Sequence, residues 1–229
     1  MTDLNRRLTA LLREGGADLV GFADLSGVPE AGLPYGVSVA LRLPTDIVRS
    51  IADGPNLPYY KTYHDINARL DKIVAAGAEY LKSLGHQATA QTTKAVVKLN
   101  ENATLLPHKT VATRAGLGWI GRNALLVTRE YGPALRFSSI LTDAPLEAAK
   151  PMDESSCGDC GECVRHCPAG AIKGEKWQAG LSRERLVDVG ACSQTMEMLC
   201  QERFGIEATI CGKCIEVCPF TRRYLQVLE

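Results

Sequence analysis

All nine cysteines of this 229-residue chain fall between Cys157 and Cys218, and their spacing is that of metal ligands. The first run reads Cys157-Gly-Asp-Cys160-Gly-Glu-Cys163-Val-Arg-His-Cys167-Pro168, a CxxCxxCxxxCP pattern. Three thiolates three residues apart on a tight loop can reach three irons of one four-iron cube. The fourth, set off by an extra residue and a proline, points to a neighbouring cluster, so one run implies two [4Fe-4S] clusters. The second run, Cys211-Gly-Lys-Cys214-Ile-Glu-Val-Cys218-Pro219, supplies the last three ligands of the same pattern, with Ala208 where the first would stand. Two cubes need eight thiolates and the runs supply seven, so the eighth is Cys192 or Cys200. The crossover rule assigns Cys157, Cys160, Cys163 and Cys218 to one cluster, and Cys167, Cys211, Cys214 and one of those two to the other. Zinc knuckles are the competing reading, since CxxC pairs also make tetrahedral sulfur sites, but CxxCxxC places a third thiolate where zinc has no use for one. Two clusters in so small a module mean electron transfer.

Other residues could serve a ligand or a proton. Gly116-Leu117-Gly118-Trp119-Ile120-Gly121 formally matches GxGxxG. A dinucleotide fingerprint needs a strand before the glycines and a helix after them, and here a helical segment precedes and a strand pattern, Ala124 to Thr128, follows. The loop still offers backbone to which a flat ligand could come close. Of the four histidines, His108 lies just before this loop and is a candidate proton donor, with a simple polar helix start as the alternative. His166 sits inside the first cysteine run, His86 follows Gly85 and is expected in solvent, and Tyr63-His64 opens a long helix.

The elements that must position these residues follow from patterning. Composition is that of an ordinary globular chain, 45% hydrophobic and 23% charged, and 26 basic residues balance 26 acidic ones, which disfavours a protein built to coat nucleic acid. No apolar stretch approaches the length of a membrane-spanning helix and the N-terminus has no secretory signature, so a cytoplasmic protein is expected. Periodicity predicts an amphipathic helix over Asp3 to Glu14, strands near Asp18 to Ala23 and Val37 to Leu43, and a helix from Tyr60 to about Leu84. The apolar stripe of that helix is Tyr63, Ile66, Leu70, Ile73, Val74, Gly77, Tyr80, Leu81 and Leu84, and Gly85 stops it. Further strands are expected around Ala95 to Leu99, Ala124 to Thr128 and Leu135 to Leu141, with a short helix at His108 to Arg114. The fold class is α+β, one sheet covered by helices. Pro145 to Ser156 looks like a polar linker, which gives two domains, 1–148 and 149–229.

Taken together, Ala115-Gly-Leu-Gly-Trp-Ile-Gly-Arg-Asn123 followed by the CxxCxxCxxxCP run, a lone Cys and CxxCxxxCP resembles the epoxyqueuosine reductases, cobalamin-dependent two-cluster enzymes related to reductive dehalogenases. Tyr63-His64 leading a basic helix and Val37-Ser-Val-Ala-Leu41 extend the resemblance upstream. It implies a nitroreductase-like α/β domain followed by a bacterial ferredoxin-like module, with cobalamin held between them and Gly116 to Gly121 near the corrin. It also implies Cys192, followed by the small Ser193, as the eighth cluster ligand. Three departures stand out. Asn102 occupies the position of the family's proposed acid. The sequence ends at Glu229 without the helical-repeat tail that helps hold tRNA in the longer enzymes. The substrate-covering stretch between the first strands has no counterpart. These departures argue against epoxyqueuosine in tRNA as substrate.

Two readings result. The first is a reductase passing electrons through two [4Fe-4S] clusters to cobalamin for a small-molecule or corrinoid substrate, supplied by a ferredoxin- or flavodoxin-type donor. The second is a non-catalytic electron-transfer or corrinoid-binding protein serving a partner enzyme.

Overall fold

The computed structural model describes residues 1–227; the chain end at Glu229 lies outside the described residues. In chain order the elements are α1 (Asp3–Glu14), β1 (Leu19–Asp24), β2 (Tyr35–Arg42), α2 (Thr45–Ser50), α3 (Leu57–Ser83), β3 (Ala88–Ala90), β4 (Lys98–Asn100), β5 (Ala103–Thr104), α4 (His108–Arg114), β6 (Trp119–Ile120), β7 (Leu126–Val127), β8 (Leu135–Thr142), α5 (Glu162–Arg165), α6 (Arg183–Leu186), α7 (Val189–Phe204), α8 (Lys213–Glu216) and α9 (Pro219–Val227). Among the described residues no helix is long and apolar enough to cross a membrane.

The chain forms two compact units, and they do not coincide with 1–148 and 149–229. One comprises residues 1–41, 65–118 and 136–152; the other comprises 42–64, 119–135 and 153–229. Nothing in composition marks the two earlier segments, 42–64 and 119–135, as companions of the cysteine-rich region. Apolar patterning reports that a residue is buried, not against what.

The first unit is built on a four-stranded sheet of order β1-β2-β8-β3. β1 and β2 run antiparallel, Leu19 opposite Ala40 and Asp24 opposite Tyr35, and β3 pairs antiparallel with β8. Gly36 to Leu41 are buried without alternation, as a strand covered on both faces must be. α1 starts at Thr2, whose hydroxyl accepts the Asn5 N–H, and presents Leu8 and Leu12 to the core. α3 adds Ile66, Leu70, Ile73, Val74, Ala78 and Leu81. Gly77 is the point of closest approach: a Cβ there would lie 2.6 Å from Ile140 Cδ1 and 2.9 Å from Leu12 Cδ2. α4 covers the far end of β1 around a second apolar cluster of Ala23, Leu25, Leu106, Val111 and Leu141.

Several expectations are corrected. α3 begins three residues before Tyr60, because Pro58 is tolerated in a first turn whose N–H groups have no helical acceptor. Tyr63 and Tyr80 are half-buried, and Leu84 lies beyond the helix at 47% exposure. There Gly85, at φ +88°, and His86 donate back to the carbonyls of Lys82 and Leu81 and turn the chain away. The strand expected around Ala95 to Leu99 is reduced to β4, paired only with β5. The one expected over Ala124 to Thr128 is reduced to β7, paired with β6. Residues 145–152 are no free linker: Ala149 N–H bonds the Phe22 carbonyl and Met152 N–H the Thr113 carbonyl.

The second unit is short helices and loops around the cysteines. Tyr224 of α9 donates its hydroxyl to the Leu43 carbonyl at 2.8 Å and packs edge-on against Tyr131. The turn between β7 and β8 comes so close to α9 that a Cβ on Gly132, at φ +59°, would lie 2.5 Å from the Thr221 nitrogen.

Candidate iron–sulfur centre

Each cysteine run is a turn followed by a single helical turn. Gly158, at φ +57°, lets the chain reverse between Cys157 and Cys160, and Gly161 opens α5, which carries Cys163. In the second run Gly212, at φ +80°, precedes α8, which carries Cys214, and a side chain there would collide with Ile51. α5 and α8 pack on each other. The CysPro ending of the second run has a local reason. Pro219 is the first residue of α9, where its missing N–H costs nothing, and the next two N–H groups, of Phe220 and Thr221, point back to the Cys218 sulfur.

The thiols fall into two groups. Burial, then the neighbouring Cys157, Cys160 and Cys218, push the Cys163 thiol up to about 11. Burial, then Cys211, Cys163, Cys192 and Cys167, push Cys214 well above its ordinary value. Cys192, in the first turn of α7, is raised by burial and by the proximity of Cys167 and Cys211. Cys200 lies eight residues further along the same helix, about 12 Å along its axis. It is fully buried and donates its S–H to the Ile210 carbonyl at 3.2 Å. Cys192 is therefore the thiol that shares surroundings with Cys167, Cys211 and Cys214, whereas Cys200 neighbours Cys211 alone. Among the described residues no three His, Cys, Asp or Glu side chains close on a single-ion position. A four-iron cube takes one thiolate per iron and holds its ligands wider apart than one tetrahedral ion does. The donor set of eight thiols thus fits two such cubes.

The hairpin of β6 and β7 braces both cysteine runs. Trp119 is fully buried, its ring edge-to-face with Phe220 at 5.0 Å between centroids, and its indole N–H lies 3.4 Å from Cys157 Sγ. Arg122 donates to the carbonyls of Gly158 and Gly174, and Asn123 donates to the Cys214 carbonyl at 3.2 Å. Val127 and Phe220 help line a cavity shared with Cys157, Cys160, Cys163 and Cys218. The sequence carried no signal that Arg122 and Asn123 act here beyond their place after the glycines.

The glycine loop itself differs from what its composition suggests. Gly118, Trp119, Ile120 and Gly121 are buried, and Gly116 and Leu117 half-buried. A Cβ would lie 2.8 Å from the Lys150 carbonyl at Gly116 and 2.6 Å from Asn123 Oδ1 at Gly121. The missing side chains at Gly116 and Gly121 admit the protein's own backbone and side chains.

The remaining candidates lie in the first unit, His166 excepted. Asn102 is exposed in the turn between β4 and β5, its backbone N–H bonded to Asn100 Oδ1. His108, the first residue of α4, is more than a polar helix start: its Nδ1 lies 2.8 Å from Ser139 Oγ and its ring stands edge-on to Phe137. Burial, then the Arg136 guanidinium, hold its pKa down at about 4. It is neutral at physiological pH. His86, expected in solvent, is only half-exposed and lies 3.5 Å from the Asp143 carboxylate. His166 is exposed, with Nδ1 beside the Glu162 carbonyl.

Residues 156–221 match the 4Fe-4S double cluster binding domain. The epoxyqueuosine reductase of Lactococcus garvieae is 31% identical over 163 residues, 70% of this chain and 42% of the relative. The chain resembles the epoxyqueuosine reductases. It spans less than half the length of the curated relatives it matches. The fold is shared with a reductive dehalogenase whose structure is described as suggesting a mechanism for B12-dependent dehalogenation (TM-score 0.71, 20% identity, covering 96% of this chain and 33% of that one). It is shared also with an epoxyqueuosine reductase crystallised with an epoxyqueuosine-modified tRNA-Tyr stem loop (TM-score 0.61, 20% identity, 96% and 65%).

Proposed function

We propose that this chain is an iron–sulfur oxidoreductase that relays single electrons through two [4Fe-4S] clusters. The observation that supports it is the gathering of eight thiols into two groups inside the matched double-cluster segment. Cys157, Cys160, Cys163 and Cys218 hold one cluster, and Cys167, Cys192, Cys211 and Cys214 the other. Each cluster supplies a site that accepts and releases one electron without a change in its ligands. The chain's own contribution is to exclude water with Trp119, Val127 and Phe220, and to fix the loops through Arg122 and Asn123. Phe220 and Thr221 N–H groups stabilise charge on the Cys218 sulfur.

As acceptor we propose a cobalamin, on the likeness to the B12-dependent dehalogenase, with a nitroreductase-like architecture for the sheet-bearing unit. The donor proposed is of ferredoxin or flavodoxin type, and the substrate a small molecule or a corrinoid. Asn102, an amide at the position of the relatives' proposed acid, has no acidic proton to give, which weighs against epoxyqueuosine in tRNA. The same residue favours a second reading, an electron-transfer or corrinoid-binding protein that serves a partner enzyme.

The test is anaerobic cluster reconstitution followed by cobalamin titration, read by optical and electron paramagnetic resonance spectra. About eight irons per chain with two reducible signals support the relay, and stoichiometric binding with a shifted cobalt(II) signal supports the corrinoid. Iron without corrinoid binding leaves the second reading. A protein that takes up zinc and no iron refutes both.

A further inference from the structure

We propose that Trp119 tunes the reduction potential of one cluster, the one held by Cys157, Cys160, Cys163 and Cys218, through its indole N–H. The inference rests on the cluster assignment proposed above. An indole nitrogen can only donate, and a fully buried one needs an acceptor. At Trp119 that acceptor is Cys157 Sγ at 3.4 Å. A neutral thiol is a weak acceptor, whereas a cluster thiolate carries charge and rewards the donor. The ring cannot swing away, because it is fully buried and Phe220 stands against it edge-on. Phe220 in turn is two residues past Cys218, to whose sulfur it donates its own N–H. One aromatic pair therefore serves two ligands of the same cluster.

The consequence follows from charge. Reduction adds one electron from an external reductant such as dithionite, with no bond made or broken and no proton taken up. The added charge spreads onto the sulfurs and strengthens N–H···S bonds, so a donor at Cys157 favours the reduced form and raises the potential. No comparable ring donor to Cys167, Cys192, Cys211 or Cys214 occurs among the described hydrogen bonds, where Cys211 has the Lys213 backbone N–H. The effect is thus confined to one of the two clusters.

The test uses the full reconstituted chain with Trp119→Phe, and a second variant carrying benzothienylalanine at position 119, which keeps the bicyclic shape and replaces only the N–H. Iron content and potentiometric titration followed by electron paramagnetic resonance are read for each. Iron stays at the wild-type level in the benzothienyl variant, and one midpoint falls by about a three- to tenfold change in the reduction equilibrium, tenfold being about 59 mV for one electron, while the other midpoint stays put. One exchangeable-proton coupling to the reduced cluster is lost in both variants, while those of the Phe220 and Thr221 N–H groups remain. Unchanged midpoints, movement of both midpoints, or loss of iron from the benzothienyl variant would each overturn the proposal. A wild-type chain that fails to hold two reducible clusters would instead overturn the cluster reading on which it stands.

Discussion

His108 should make the sheet-bearing unit sensitive to acid over a defined window. Burial and Arg136 hold its pKa at about 4 against an ordinary 6.5. The unfolded chain therefore binds a proton at this site between those values and the folded chain does not. Stability from this group is complete above pH 6.5 and is lost as pH falls toward 4, at about 2 kcal/mol by pH 5. The perturbation is His108→Gln, which keeps a polar side chain beside Ser139 and removes the titration. Two assays report on it: histidine ring resonances of the oxidised protein followed from pH 7.5 to 5, and protection of α4 and β8 amides against hydrogen exchange over the same range. The His108 resonances should stay in the neutral position throughout. Wild-type protection should fall by about 2 kcal/mol more than that of the variant between pH 7 and pH 5. A His108 that titrates near 6.5, or parallel pH profiles for the two proteins, would refute the reasoning.

Three further outcomes are expected. Cys192→Ser should remove one cluster, about four irons per chain, whereas Cys200→Ser should leave iron content intact, both read by iron assay after reconstitution. Asn123→Ala strips the Cys214 carbonyl of a buried donor and should cost about 1–3 kcal/mol, seen as faster bleaching of the cluster absorbance in denaturant. Gly77→Ala should destabilise by about 1–3 kcal/mol, measured by hydrogen exchange of α3, because its Cβ would displace the Ile140 and Leu12 methyls, both of fully buried side chains.

The cysteine runs were legible because ligand spacing is a local property: the loop that presents Cys157, Cys160 and Cys163 is written in adjacent residues. So was α4, bounded by Pro107 and the glycines, and α1, with Thr2 before an amphipathic run. What escaped was long-range. β3, β5 and β6 are two or three residues each and take their form from partners elsewhere in the chain, as Ala88 does from Thr142. The Trp119 contact with Cys157 joins residues 38 positions apart, and a glycine-rich stretch reads the same whether it opens to a ligand or closes on Lys150. His108, read as a candidate proton donor or a simple polar helix start, acquired its buried partner only from β8.

Tyr224 and Leu43, joined by a buried hydrogen bond, are 181 residues apart. On the ribosome, residues 42–64 and the Trp119 hairpin are therefore made long before the helix that closes over them, and they wait with apolar side chains uncovered until Tyr224 has been added. Iron delivery faces the same schedule. Cys157, Cys160 and Cys163 emerge together, but Cys218, which completes their proposed set, is the last of the nine cysteines to be made, so that cluster cannot be completed before it. A nascent chain stalled before Cys218 would expose the bracing segments and the first three thiols at once, a state for proteases and chaperones to recognise.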